Sequence, residues 1–300
     1  MPDESVQHPH SAAADRRAAV RDIMAHSSYL EADHDIGFLA SESTRGVRLQ
    51  LDYLKAEQLL KAHGIAHTIV VFGGTHIREE REAARAVVDA EAALAHHPDD
   101  LSRQRALSIA RRLHEKSRFY TIARELGRLV GAAGDKAVGG RVVVMTGGGS
   151  GIMEAANRGA HDVGQISIGL NISLPHEQRP NPYITPELCL RFHYFAMRKL
   201  HFLLRARALV VFPGGYGTLD ELFEVLVLVQ THKLARLPVI LVGRSFWDRV
   251  FDVEFMVEEG VIAPEDRDLF QFAETADDIW RMIVDWHECA GNPLCHQGAD

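Results

Sequence analysis

Three glycine-rich stretches carry the chemistry that is legible in this chain. FGGT (72–75), TGGGSGIM (146–153) and PGGYGTLDE (213–221) each follow a short apolar run. A glycine loop between a strand and a helix exposes backbone N–H groups at the positive end of the helix dipole and lets an anion come close. Gly148 and Gly149 in the second loop, and Gly73 and Thr75 in the first, are therefore candidates for holding phosphate. For the second loop alone, a tight turn with close helix–strand packing explains the glycines as well.

The third loop is the densest. Gly214, Gly215 and Gly217 open the backbone around Tyr216, and Thr218 stands where a helix is expected to begin. The amides of Gly215 to Thr218, with the Thr218 hydroxyl, would make an anion nest. Thr218 and Glu221 have the spacing of a capping box, in which Glu221 would reach back to the Thr218 amide. The alternative places the Glu221 carboxylate one helical turn from a bound phosphate, and the spacing leaves both open. Tyr216 is either a base-stacking residue or an ordinary turn residue.

Upstream, AMRKLHFLL (196–204) puts Arg198 and Lys199 side by side near a helix start. Such pairs are usually a solvated helix face. Met197, Leu200, Leu203 and Leu204 form the apolar side here, which leaves Arg198 to face the loops. Arginine suits a bidentate oxyanion contact better than lysine does.

Two familiar nucleotide signatures are missing. A G-x-G-x-x-G fingerprint needs glycine at position 152, where Ile152 stands, and Asn171 rather than an acid closes the next strand. No glycine–lysine–Ser/Thr run of the Walker type occurs.

These loops need a sheet to hold them. HTIVVF (67–72), RVVVM (141–145), QISIGL (165–170), LCLRFHYF (188–195), LVVF (209–212), PVILVG (238–243) and LFQFAE (269–274) read as strands. Amphipathic helical stretches lie between them. Continuously apolar strands alternating with helices imply an α/β, Rossmann-like, doubly wound, mainly parallel sheet of about seven strands with helices on both faces. Ligands bind beyond the carboxyl ends of such strands, so the three loops should line one rim.

Residues 1–12 read as a disordered tail, 13–65 as an N-terminal helical extension, 66–290 as the α/β domain that carries the glycine loops, and 291–300 as a C-terminal tail. Residues 79–130 read as a helical pair broken at HHPDD (96–100), with about 79–115 as an insertion. FWDRVFDVEFMVEEG (246–260) reads as one helix.

The bulk properties set limits. The chain has 300 residues, is 46% hydrophobic and 25% charged, and carries a formal net charge of −8. That is an ordinary globular composition without the basic face of a nucleic-acid binder. Cys189, Cys289 and Cys295 form neither a Cys-x-x-Cys pair nor an even framework, which points to a reducing, cytoplasmic setting. No signal-peptide stretch or membrane-length apolar run is present. The 17 histidines are scattered without an HExxH pair, so no metal site is expected.

At MRK (197–199), PGGYGTLDE (213–221) and GGGSGIMEAANRGA (147–160) the sequence resembles the LONELY GUY family, cytokinin riboside 5′-monophosphate phosphoribohydrolases once labelled lysine decarboxylases. The resemblance spans about residues 66–288 and leans toward the longer bacterial, AMP nucleosidase-like branch. It implies a Rossmann-like fold, a homodimer or higher oligomer, no cofactor, and release of a free base plus ribose 5-phosphate from a nucleoside monophosphate. It places catalytic roles on Arg198 and Glu221, and phosphate binding on Gly214, Gly215, Gly217 and Thr218. In FGGTH (72–76) Gly74 stands where many relatives carry serine, so a hydroxyl contact would shift to Thr75.

Breaking an N-glycosidic bond builds positive charge at the ribose C1′ and ring oxygen. A fixed carboxylate, Glu221, would stabilise it while Arg198 and Lys199 grip the phosphate side. Glu224, on nearly the same helix face, is a candidate assisting acid. His176, Glu177 and Arg179 would shape a base pocket or be plain solvated loop.

Three rivals remain. A pyridoxal-phosphate decarboxylase would need a reactive lysine, for which Lys199 alone is near. A nucleotide or molybdenum-cofactor carrier would need the nest but not Glu221 with Arg198. A nucleotide sensor would act through its oligomer, and the apolar run 222–229 serves either a subunit interface or the core.

Overall fold

The computed structural model describes residues 9–173 and 179–295. His176 and Glu177 thus lie outside the described residues, as do residues 1–8 and 296–300. Two compact units are present, residues 1–52 and 53–300.

The first unit holds helices α1 (Pro9–Ala25), α2 (Ile36–Ala40) and the start of α3 (Arg45–Ala62). Helix α1 begins inside the stretch expected to be a tail. Thr44 is the buried polar anchor of this unit; its hydroxyl donates to the carbonyls of Phe38 and Leu39, both at 2.9 Å.

The second unit contains β1 (Ile65–Phe72), α4 (Glu80–Ala95), α5 (Leu101–Glu115), α6 (Ser117–Ala133), β2 (Arg141–Thr146), α7 (Ile152–Asp162) and β3 (Ser167–Ile172). It continues through β4 (Cys189–Phe192), α8 (Phe195–Leu203), β5 (Ala206–Val211), α9 (Tyr216–Gln230) and β6 (Val239–Val242). It closes with α10 (Arg244–Trp247), α11 (Val253–Glu258), β7 (Gln271–Ala273) and α12 (Ala276–Cys289). The unit starts at Tyr53 because Ala56 and Leu60 on α3 are buried in the sheet core.

The expected sheet is present, with seven strands in the order β4-β3-β2-β1-β5-β6-β7. All pairings are parallel, with Val70 opposite Met145 and Val71 opposite Val210. Each face carries its own core. Ile69, Val71, Val144 and Val210 pack with α6, α7 and α12, whereas Val70, Met145, Leu209 and Leu241 pack with α3, α8 and α9. This is why the strands read as unbroken apolar runs. The chain winds from β1 out to β4, returns to β5 beside β1, and winds the other way to β7. The reversal makes the β1/β5 boundary a switch point, where loops diverge and leave a crevice.

Arg205 fastens α3 to this frame. Its guanidinium donates to both Glu57 oxygens at 2.9 Å and to the Ile65 carbonyl at 3.1 Å. The Arg205 hydrogen bonds, outweighing burial, hold the Glu57 carboxyl down at about 2.

Local boundaries differ from expectation in places. Residues 79–130 form three helices rather than two, because the chain breaks again at Lys116, which caps α5 and leads directly into α6. The stretch 246–260 is two short helices, with the Asp252 carboxylate capping the second through the Phe255 amide at 3.1 Å. Strand β4 stops at Phe192, leaving His193 and Tyr194 to turn the chain into α8. Among the described residues no helix is long and apolar enough to cross a membrane.

Candidate functional site

The three glycine loops meet at the carboxyl rim and are tied together by their own backbone. The Gly74 amide donates to the Pro213 carbonyl at 2.9 Å, the Gly74 carbonyl accepts the Ile152 amide at 3.2 Å, and Ser150 Oγ donates to the Thr75 carbonyl at 3.1 Å. Gly74 therefore has no amide left for a ligand. At Gly151 the backbone has φ 71°, and an added Cβ would lie 2.3 Å from the Gly74 carbonyl oxygen. Only glycine permits that approach.

Beneath the second loop lies a polar web that the sequence reading missed. The Thr146 hydroxyl accepts the Gly148 amide at 3.0 Å and donates to Asn157 Oδ1 at 2.8 Å. Asn181 Nδ2 donates to Asn157 Oδ1 and to the Gly149 carbonyl, both at 3.0 Å, and the Asn181 amide donates to the Gly148 carbonyl at 2.9 Å. Thr146, Asn157 and Asn181 are all buried; Asn157 Nδ2 also donates to the Ile168 carbonyl of β3 at 3.3 Å, which ties the web to the sheet. The signal lay in α7: Asn157 is polar yet sits among Met153, Ala156 and Ala160 on the buried face.

Beside the switch point a cavity of about 270 Å³ opens between the loops after β1 and β5 and the start of α8. Gly73, Gly74, Thr75, Arg198, Gly215, Gly217, Thr218, Asp220 and Glu221 line it, as do Phe72, Met153 and Phe195, which sequence reasoning did not single out. Gly148, Gly149, Gly214, Tyr216, Lys199 and Glu224 are outside this lining, for identifiable reasons. The Gly148 amide goes to Thr146, and the Gly148 and Gly149 carbonyls accept from Asn181. Gly214 lies against Thr218, whose Oγ1 would be 2.1 Å from an added Cβ. The Tyr216 side chain is 94% exposed.

Helix α9 begins at Tyr216, earlier than expected, with Gly215 as N-cap and no side-chain cap. The amides of Tyr216 and Gly217 have no acceptor within the helix. A Cβ on Gly215 or on Gly217 would meet nothing within 4 Å. The Thr218 amide donates to the Gly215 carbonyl at 3.0 Å. The capping box is thus not formed, and the Thr218 amide is not among those left for the expected nest.

Glu221 is 7% exposed and faces the cavity. Burial pushes its carboxyl up to about 7; Lys199 and Arg198 pull it down, while Glu224 and Asp220 push it up. An acid poised near neutrality in a cleft is suited to proton transfer. Arg198 is fixed by Nε donating to the Leu170 carbonyl at 2.7 Å and by its guanidinium lying 5.1 Å from the Phe202 ring centre. Its Nη2 would be 2.6 Å from a Cβ on Gly147. Burial lowers the Arg198 pKa and the Glu221 charge raises it.

Lys199 does not point at the nest. Its Nζ bridges Asp220 at 2.9 Å and Glu224 at 3.1 Å. Glu224 is correspondingly an ion-pair partner rather than a cavity acid.

Comparisons with known proteins identify the family. A family profile described as "possible lysine decarboxylase" matches residues 153–283, which include Arg198 and Glu221. The Arabidopsis thaliana cytokinin riboside 5′-monophosphate phosphoribohydrolase LOG7 is 30% identical over 159 residues, 51% of this chain and 71% of that enzyme. The chain belongs to the LONELY GUY family. LOG3 of the same plant is 28% identical over 170 residues, 54% of this chain and 77% of the relative. The molybdenum cofactor carrier protein of Chlamydomonas reinhardtii superposes with a TM-score of 0.38 at 17% identity, covering 73% of this chain and 98% of that one. The older family description does not fit the residues present. A pyridoxal-phosphate lysine must be free to form a Schiff base, and Lys199 is held between two carboxylates outside the cavity.

Proposed function

We propose that this LONELY GUY protein hydrolyses the N-glycosidic bond of a nucleoside 5′-monophosphate bearing adenine or an N6-modified adenine, releasing the free base and ribose 5-phosphate. The observation that carries the reading is Glu221, a buried carboxylate uncommitted to its own helix end, beside Arg198 and the uncapped start of α9. The named substrate of the relatives, a cytokinin riboside 5′-monophosphate, supports it.

In this mechanism the amides of Gly215 to Gly217 and the α9 dipole hold the 5′-phosphate. Arg198, with Nε already engaged, donates through its Nη atoms to the phosphate side of the ribose. As the bond from C1′ to the base nitrogen lengthens, the electron pair leaves with the base and positive charge grows at C1′. The ionised Glu221 carboxylate stabilises that charge and takes the proton of the attacking water, while the departing base nitrogen takes up a proton from solvent, so that Glu221 returns its own to solvent and the net reaction consumes one water. Phosphate binding thus positions a distant reacting bond.

The test is incubation of purified protein with AMP, an N6-alkylated AMP and the matching nucleosides, followed by separation of base and sugar phosphate. Base release from monophosphates, weak release from nucleosides, and a loss on the order of 10²–10³-fold in Glu221→Gln are expected. Nucleotide binding without base release overturns the reading.

We also infer that the chain pairs with a second copy of itself through α8 and α9, where Phe195, Val227 and Phe223 are 51%, 52% and 37% exposed. Sedimentation as a monomer at micromolar concentration excludes it.

A further inference from the structure

Three carboxylates crowd the first turns of α9: Asp220, Glu221 and Glu224. Only Glu221 is buried against the cavity; the Asp220 and Glu224 side chains are 58% and 31% exposed. Two cations approach them, both from α8. Arg198 faces the cavity, whereas Lys199 leaves the helix in a different direction and reaches the two outer acids with one ammonium group. Burial opposes its charge, but its hydrogen bonds to Asp220 and Glu224 outweigh that and hold its pKa above the usual lysine value. It is a permanent cation at neutral pH. The other cavity walls, Phe72, Gly73, Gly74, Thr75, Met153 and Phe195, carry no ionisable group. The charges facing Glu221 are therefore Lys199 and Arg198 on one helix, and Asp220 and Glu224 on its own.

We propose that Lys199 is a positioning residue of the glycosidic-bond reaction: it neutralises and anchors Asp220 and Glu224, so that Glu221 alone meets the ribose as a free carboxylate. This rests on the hydrolase reading above and adds a division of labour between adjacent cations, with Arg198 on the substrate and Lys199 on the acid. The reason is electrostatic. Without Lys199, two unpaired anions stand within one helical turn of Glu221, and like charges disfavour its ionised form. Glu221 then needs a higher pH to act as a base. A phosphate ligand would behave differently, because losing one weakens substrate binding at every pH.

The experiment is the pH profile of kcat/KM for AMP in wild type, Lys199→Met and Lys199→Arg. In Lys199→Met the acidic limb is expected to move up by about one pH unit. Activity then falls roughly tenfold below neutrality and returns to near the wild-type value above pH 9, and Lys199→Arg retains most of the wild-type profile. A loss that is equal at all pH values and confined to KM overturns the proposal in favour of a phosphate contact; no change in either variant overturns it outright. A second measurement does not depend on turnover. Titration of the Glu221 carboxyl by carbon NMR in glutamate-labelled protein, assigned with Glu221→Gln, is expected to show an upward shift in Lys199→Met. An unmoved titration overturns the proposal. If wild type cleaves no monophosphate, the hydrolase reading fails, and the titration still decides whether Lys199 governs the acid.

Discussion

The loops after β2 and β5 share a composition and differ in what becomes of their backbone. In the first, residues 147–151, the Gly148 amide goes to Thr146, the Gly148 and Gly149 carbonyls go to Asn181, and Gly151 is pressed against the Gly74 carbonyl. In the second, Gly215 and Gly217 look into open space, and the start of α9 is uncapped. The fold takes up the carbonyls and the space around the first loop, whereas the second borders the cavity. Glycine density is therefore a poor guide to ligand binding. The informative quantity is how many backbone groups remain after internal partners are served.

Substitutions can break or sharpen this contrast. The largest effect is expected at the acid of the open loop. Burying the ionised Glu221 costs stability, because its folded pKa of about 7 lies above the value of 4.5 for an exposed glutamate. The native state then holds a proton that the unfolded chain gives up, so this penalty is absent below about pH 4.5 and complete above about pH 7. Glu221→Gln should gain up to about 3 kcal/mol at pH 8 and little at pH 4, read by denaturant melts at both values, while activity collapses. Equal stability of the two proteins at pH 8 would show that the carboxylate is not strained by burial.

In the loop after β2, Gly151→Ala should destabilise by about 2–3 kcal/mol, since a positive φ and a backbone clash both oppose the methyl group. A urea midpoint matching wild type would remove that loop from the structural class. Asn181→Ala strips hydrogen bonds from the Gly149 carbonyl and Asn157 and should cost about 1–3 kcal/mol. Its KM for AMP should change less than its stability.

The smallest effect on folding is expected at Gly217→Ala, where the added methyl meets nothing and a helical position gains intrinsic propensity. A gain of about 0.5–1 kcal/mol is expected. The same methyl enters the cavity beside the α9 terminus, so inhibition by ribose 5-phosphate should weaken. Unchanged inhibition would place the phosphate elsewhere.

Much of the architecture was legible because burial on both faces leaves a direct trace in sequence. Strands such as Val142–Met145 and Val239–Val242 are uninterrupted apolar runs, and each turn after them is marked by glycine. Boundaries were less legible where local capping decides them, as at Lys116 and Asp252. Asn157 and Asn181 were invisible as partners, because residues 24 apart become neighbours only when β3 pairs beside β2.

By itself the sequence indicated a mainly parallel sheet of about seven strands and the rim on which the glycine loops gather, since periodicity and spacing are local properties, while the pairing of Arg198 with Glu221 followed from the resemblance to the LONELY GUY family. Tertiary structure alone decided which loop borders the cavity, that Glu221 turns from its helix end to the cavity, and that Lys199 bridges Asp220 and Glu224. Those outcomes depend on which groups meet across separate elements, and a polar group commits to whichever partner the packed fold brings within hydrogen-bonding reach.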